Sequence, residues 1–182
     1  MQYGTERRKM KLTIKTTTEI NPEELKEKVR SGALKAGDEL EIKGALWRIL
    51  AAEPGRAVIW KHTNCEYHVF NEDGSNKYEG SDIQNYLKEA DKELLGEEIA
   101  MMLTGNLQLL SYEEVMQWLP TEPERIITNK ENETWYWWLR SPNPSGCYNV
   151  HNVRVVNSSG ALNHINADIA FGAVAPMGII MS

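Results

Sequence analysis

Trp135-Tyr136-Trp137-Trp138-Leu139-Arg140-Ser141-Pro142 is the stretch on which the fold turns. In an extended strand, alternate side chains point to opposite faces, so Trp135 and Trp137 fall on one side and Tyr136 and Trp138 on the other. Large aromatic residues on both faces need apolar partners on both faces. Trp137, Trp138 and Leu139 are therefore expected to be core, not a stacking platform for sugars.

Composition changes sharply after this cassette. Residues 141–176 contain no Lys, Glu, Gln, Trp or Met, types that are frequent before them. Every residue type that fills the segment has a codon ending in a pyrimidine, and none of the missing types has one. Randomising the two adenines of an Asn codon gives all the residues present, so the segment reads as one diversified from Asn codons. Asn143, Asn149, Asn152, Asn157, Asn163 and Asn166 are then unmutated or re-sampled positions. The alternative is an ordinary strand-and-turn segment, which is also poor in Lys, Glu, Gln and Met.

Upstream, residues 11–18 alternate around Leu12 and Ile14 and predict an N-terminal strand. Asn21-Pro22-Glu23-Glu24 carries a capping Asn, a proline at the first helical position and acids in the first turn, so a helix starts there and stops near Gly32. Residues 39–42 and 47–50 predict a hairpin around Lys43-Gly44-Ala45, and residues 56–60 a further strand after Pro54-Gly55. A helix is expected over residues 81–95 behind a capping Ser81, with Ile83, Tyr86, Leu87 and Leu94 at helical spacing. Ser111 and Glu114 fit a capping box for a helix that ends at Pro120, with Val115, Met116 and Leu119 as its core face. Beyond the cassette, Val150, Val153, Val155 and Val156 mark strand pieces. Asn157-Ser158-Ser159-Gly160 reads as a turn, and residues 172–181 as a final apolar strand.

The 182 residues are most simply one domain, large enough to bury a core. A net charge of −6, with no basic run except Arg7-Arg8-Lys9, argues against a nucleic-acid surface. The first fifteen residues lack an apolar signal region and no run reaches membrane-spanning length, so a cytoplasmic or virion-associated protein without membrane insertion is expected. Cys65 and Cys147 show no metal or redox spacing and read as ordinary thiols. His62, His68, His151 and His164 show no ligand or acid/base spacing, so neither a metal nor a cofactor is expected.

The order of motifs is Ala36-Gly37-Asp38, Trp47-Arg48-Ile49-Leu50, Ser81-Asp82-Ile83-Gln84-Asn85-Tyr86-Leu87, Leu110-Ser111-Tyr112-Glu113-Glu114, the Trp137–Pro142 cassette and Gly172-Ala173-Val174-Ala175-Pro176. This set resembles a bacterial and phage domain family recognised by its WWLRSP motif and similar to the C-type-lectin-like fold of formylglycine-generating enzymes. The resemblance implies an α+β fold of C-type-lectin-like type over residues 34–182, preceded by a strand and helix extension over residues 1–33. It also implies kinship with the variable proteins of diversity-generating retroelements, whose C-terminal repeat alters a ligand-binding face. Residues 141–176 stand where that repeat would lie. One departure is that the family usually closes with Gly-Val-Arg-Pro, whereas Ala175 stands in place of the Arg.

The function these observations imply is non-catalytic recognition of a protein or glycan ligand on a cell or phage-host surface. Tyr offers rigid contact at small entropy cost, and Asn, Ser and Gly offer adaptable hydrogen bonding. Asn143, Tyr148, Asn149, His151, Asn152, Arg154, Asn157, Asn163, His164, Asn166, Asp168 and Phe171 supply that mixture. Val153 and Val155 should point inward, with Asn152 and Arg154 outward. Tyr148, Asn149, His151, Asn152, Asn163, His164 and Asn166 are expected to share one exposed face, which requires a register break near Asn152. Two alternatives stand beside this reading: an enzyme of formylglycine-generating type, although neither cysteine sits in a matching motif, and a structural domain with no ligand of its own.

Overall fold

Asn21 begins the first described helix: its side-chain oxygen accepts from the Glu23 amide at 2.9 Å, and Pro22 occupies the first turn, where no amide is needed. Gly32, at φ 70°, ends the helix by donating to the Lys28 and Val29 carbonyls. A computed structural model of the chain describes residues 19–143 and 150–182. The expected strand over residues 11–18 lies outside them. Helix α1 (Pro22–Ser31) buries Leu25 and Val29, one turn apart, in the same core as the strands that follow.

Strands β1 (Glu39–Ile42) and β2 (Ala45–Glu53) form the expected antiparallel hairpin, with Ile42 opposite Ala45. Lys43 and Gly44 both have positive φ, as a two-residue hairpin turn requires. Strand β3 (Arg56–Lys61) pairs with β2, and the last strand, β11 (Met177–Met181), pairs with β3 to complete a four-stranded antiparallel sheet.

The second sheet has the order β4-β10-β7-β8-β9, from β4 (Glu66–His68), β7 (Trp137–Pro142), β8 (Asn152–Val156), β9 (Leu162–Asn166) and β10 (Gly172–Val174). Only the β7–β10 pair is parallel. A two-stranded ladder, β5 (Ile127–Thr128) with β6 (Thr134–Trp135), leads into β7. Helices α2 (Asp82–Glu89), α3 (Asp91–Leu95), α4 (Glu97–Ala100) and α5 (Tyr112–Trp118) lie between β4 and β5 in the chain. The architecture is α+β.

Each sheet contributes to two cores. On β3, Ala57 and Ile59 face the first core, and Val58 and Trp60 the second. On β7, Trp138 faces the first core, while Trp137 and Leu139 face the second. All three cassette residues are fully buried, as their alternation demands. Trp138 packs on Phe70 with ring centres 5.5 Å apart, and Trp137 on Trp60 at 5.3 Å. Both indoles also spend their N–H groups inside the fold, Trp137 on the Arg125 carbonyl and Trp138 on the His68 carbonyl.

Four expectations are corrected. The helix over residues 81–95 is two helices, because the Lys92 amide bonds the Asp91 carboxylate and the helical ladder breaks beside Ala90. The apolar strand over residues 172–181 is likewise two, β10 and β11, which belong to different sheets and are separated by Ala175-Pro176. Met116 is 43% exposed, because Val115 and Leu119, four residues apart, fill the buried stripe of α5 and leave Met116 beside it. Val150 is likewise an exposed turn residue, and β8 starts only at Asn152.

Candidate functional site

Arg140 and Ser141, the polar half of the cassette, fasten α5 to the second sheet. The Arg140 guanidinium reaches both carboxylate oxygens of Glu114 at 2.7 Å and donates to the Leu109 carbonyl at 2.6 Å. Glu114 also closes the capping box with Ser111, and the Ser141 hydroxyl accepts from the Tyr112 amide at 2.9 Å. The motif is thus structural: its tryptophans fill two cores and its Arg-Ser pair holds a helix N-terminus. This clamp fixes the backbone from which residues 150–171 project.

The β8–β9 register sorts those residues by face. Asn152 lies opposite Asn166, Arg154 opposite His164 and Val156 opposite Leu162, which puts all six on one side of the ladder. Val153 opposite Ile165 and Val155 opposite Asn163 form the other side, and Val153 and Val155 are buried in the first core. Asn163 is therefore a correction: it is exposed, but at the sheet edge on the Val155 side, turned away from His164 and Asn166. A shift of one residue along a strand reverses the face, and the expected grouping crossed that boundary.

Arg154 stands over the Tyr112 ring at 3.8 Å from its centroid, so its cation is engaged with α5. Asn157 is committed to the β8–β9 turn, where its side-chain oxygen accepts from the Ser159 amide, the Ser159 hydroxyl and the Ala161 amide. Asn143 is half-buried, and its amide bonds the Asn152 carbonyl at 3.0 Å. Tyr148 and Asn149, together with Cys147, lie outside the described residues.

His151, Asn152, Asn166 and Asp168 converge with Glu72, Asp73 and Gly74 on a cleft of about 370 Å³, which the exposed His164 does not line. His151 is exposed in the turn before β8, and its Nδ1 lies 2.8 Å from the Gly74 carbonyl oxygen. The Asn76 side chain donates to the Asn152 carbonyl at 3.1 Å, and the Asn71 amide donates to the Ala167 carbonyl at 3.0 Å. The loop carrying Glu72, Asp73 and Gly74 is thus tied to the 151–168 segment, and the exposed Glu72 and Asp168 both line the cleft. Phe171 lies farther along, 55% exposed.

The loop of residues 71–76 was not anticipated as part of the site. Its signal was legible as Asn-Glu-Asp-Gly-Ser-Asn, a turn-forming run, but nothing local tells which distant segment a turn will meet. Elsewhere, Cys65 is buried, and burial pushes its thiol up to about 12 although the Lys61 charge opposes it. His62 lies 2.6 Å from Glu39, in a cluster with Arg48 that is separate from the cleft. Among the described residues, no group of three or more His, Cys, Asp or Glu is placed to hold a metal ion, and no helix is long and apolar enough to cross a membrane.

Comparison with known proteins finds one family model, described as Domain of unknown function (DUF6273), which matches residues 92–180. The matched span takes in α5, the cassette and the whole 150–171 segment, and leaves α1 to β4 outside. No curated protein and no solved structure matches the chain.

Proposed function

We propose that this chain is a non-catalytic ligand-binding protein with a C-type-lectin-like fold, a variable protein of a diversity-generating retroelement within the WWLRSP-motif family. Its ligand, a protein or glycan on a cell or phage-host surface, seats in the cleft between the 72–74 loop and the start of β8. The observation that carries this reading is the meeting of His151, Asn152, Asn166 and Asp168 in one open cleft. These residues come from separate parts of the segment whose composition fits sampling from Asn codons. They project from a backbone held by buried Trp138, Val153 and Val155, so their variation costs no core packing. The inert state of the Cys65 thiol favours binding over chemistry at that residue.

The test is a paired selection. The wild-type chain and a variant carrying His151→Ala, Asn152→Ala, Asn166→Ala and Asp168→Ala are screened against a random peptide display library and a glycan array. Ligands retained by the wild type and lost by the folded variant are the expected result. A wild type that retains nothing, or a variant that keeps the same ligands, overturns the reading. The diversification claim is tested at the encoding locus, where a near-identical repeat differing only at adenines should lie beside a reverse transcriptase gene.

A further inference from the structure

Resting on the ligand-binding reading above, we propose a second subsite beside the cleft: an aromatic shelf of Tyr67 with Trp135 packed against it, rimmed by Glu72 and Asp168, that takes a cationic side chain of a basic polypeptide partner. A hollow of about 430 Å³ lies between Tyr67, His68, Val69, Glu72, Asp168 and Ala170. It shares Glu72 and Asp168 with the first cleft, so the two form one continuous surface. Tyr67, which lines the hollow, is 41% exposed, a large ring that the two cores leave unused.

The rings are held in place before any ligand arrives. Tyr67 and Trp135 lie 5.4 Å apart at 52°, and Trp135 stacks on Tyr136 at 5.7 Å. Trp135 Nε1 donates to the Phe171 carbonyl at 2.7 Å, and the Tyr67 hydroxyl accepts from the Asn129 side chain at 2.7 Å. The indole N–H is thus spent within the protein and the Tyr67 oxygen is held by Asn129, so that ring surface dominates what the shelf offers. Preorganised surface of this kind costs little entropy on binding.

Charge chooses the partner. Ring faces attract cations through their quadrupole, and carboxylates do so directly. Neither hollow is lined by a Lys or Arg, and no ion pair among the described residues involves Glu72, Asp73 or Asp168. Lys130, in the turn between β5 and β6, is paired with Glu66 at 2.5 Å. A guanidinium or ammonium on an alkyl stem satisfies both features at once, its stem on the rings and its charge at the rim. An acidic segment is repelled, and a neutral saccharide would use the rings but leave the carboxylates without a counter-charge.

The probes are a hexa-arginine peptide amide, a hexa-glutamate peptide of equal length and maltohexaose, titrated against the full chain with Trp fluorescence and calorimetry as readouts. Only the arginine peptide should bind, with affinity that falls as salt is raised. Glu72→Gln with Asp168→Asn should weaken it roughly tenfold, and Tyr67→Leu several-fold. Glu23→Gln with Glu98→Gln, an equal change of charge at two exposed sites elsewhere, should leave it within about twofold. Tyr67→Leu keeps an apolar contact with Trp135 while removing the aromatic face, so it remains informative if the double variant fails to fold. Equal weakening by the remote pair, equal binding of all probes, preference for maltohexaose or no binding of the arginine peptide would each overturn the proposal. If the arginine peptide fails while the library screen yields ligands lost in the fourfold variant, the shelf falls and the binding face stands. If the screen also yields nothing, both fall.

Discussion

Gly172 has no room for a side chain, since a Cβ there would sit 2.1 Å from Trp138 Nε1 and 2.2 Å from Cε2. The indole lies flush against β10, and its N–H continues to the His68 carbonyl at 2.8 Å on β4. Gly172→Ala must displace either the indole or the strand. It should cost about 1–3 kcal/mol, as overpacking does, and Trp138→Ala about 3–5 kcal/mol through the cavity it leaves; urea unfolding measures both. Glu39 gives a second expectation at this scale. Burial pushes its carboxyl up, but the hydrogen bond and charge of His62, and then those of Arg48, outweigh burial and hold it below the ordinary carboxylate range. A depressed carboxyl contributes stability that is fully present above its unfolded pKa and is lost as pH falls through the lower folded one. The melting midpoint of the wild type should therefore drop below about pH 4 more steeply than that of Glu39→Gln. An equal slope in the two proteins would remove Glu39 from the account. The burial of Trp137 and Trp138 was legible from alternation alone, because each needs only its own strand. The face of Asn163 was not, because it depends on which residue of β8 stands opposite.

At the scale of elements, caps and clamps were written locally and breaks were not. Asn21, Ser81 and Ser111 each cap the helix they were expected to cap, since a cap concerns only the next three residues. The division of residues 172–181 between two sheets depends instead on partners more than a hundred residues away, with Met177 opposite Trp60 and Ala173 opposite Tyr67. Pro176 sits at that crossing, where its carbonyl still accepts from the Lys61 amide and it has no N–H to leave unpaired. The clamp between β7 and α5 can be tested directly. Arg140→Ala strands Glu114 beside a helix N-terminus and removes three donations, so it should cost about 1–3 kcal/mol. Arg140→Lys should recover only part of this, because an ammonium cannot span both carboxylate oxygens. Full recovery by Lys in thermal melts would show that charge, not the two-pronged geometry, holds the helix.

Across the whole molecule, the segment of residues 150–171 combines a fixed backbone with several exposed side chains, and its positions differ in what they contribute to the fold. His151, His164, Asn166 and Asp168 are exposed, and their side chains carry no core packing. Asn157 closes the β8–β9 turn, and Gly160 beside it has φ +88° with the Glu122 carbonyl oxygen 1.9 Å from where a Cβ would be. Arg125 reaches toward that turn from below, fully inside the fold, with its guanidinium on the Leu119 and Pro120 carbonyls. A variant carrying His151→Ala, His164→Ser and Asn166→Ser together should melt within a few degrees of the wild type, because exposed substitutions shift stability by about 0.5 kcal/mol or less each. Asn157→Ala alone should cost about 1 kcal/mol, as loss of a capping side chain does, and Val153→Asn should prevent cooperative folding by burying an unpaired amide. Melting curves on the three proteins measure the ranking. If the triple exposed variant proved the least stable, these side chains would belong to the core after all, and a face that changes its ligand without changing its fold could not be built from them.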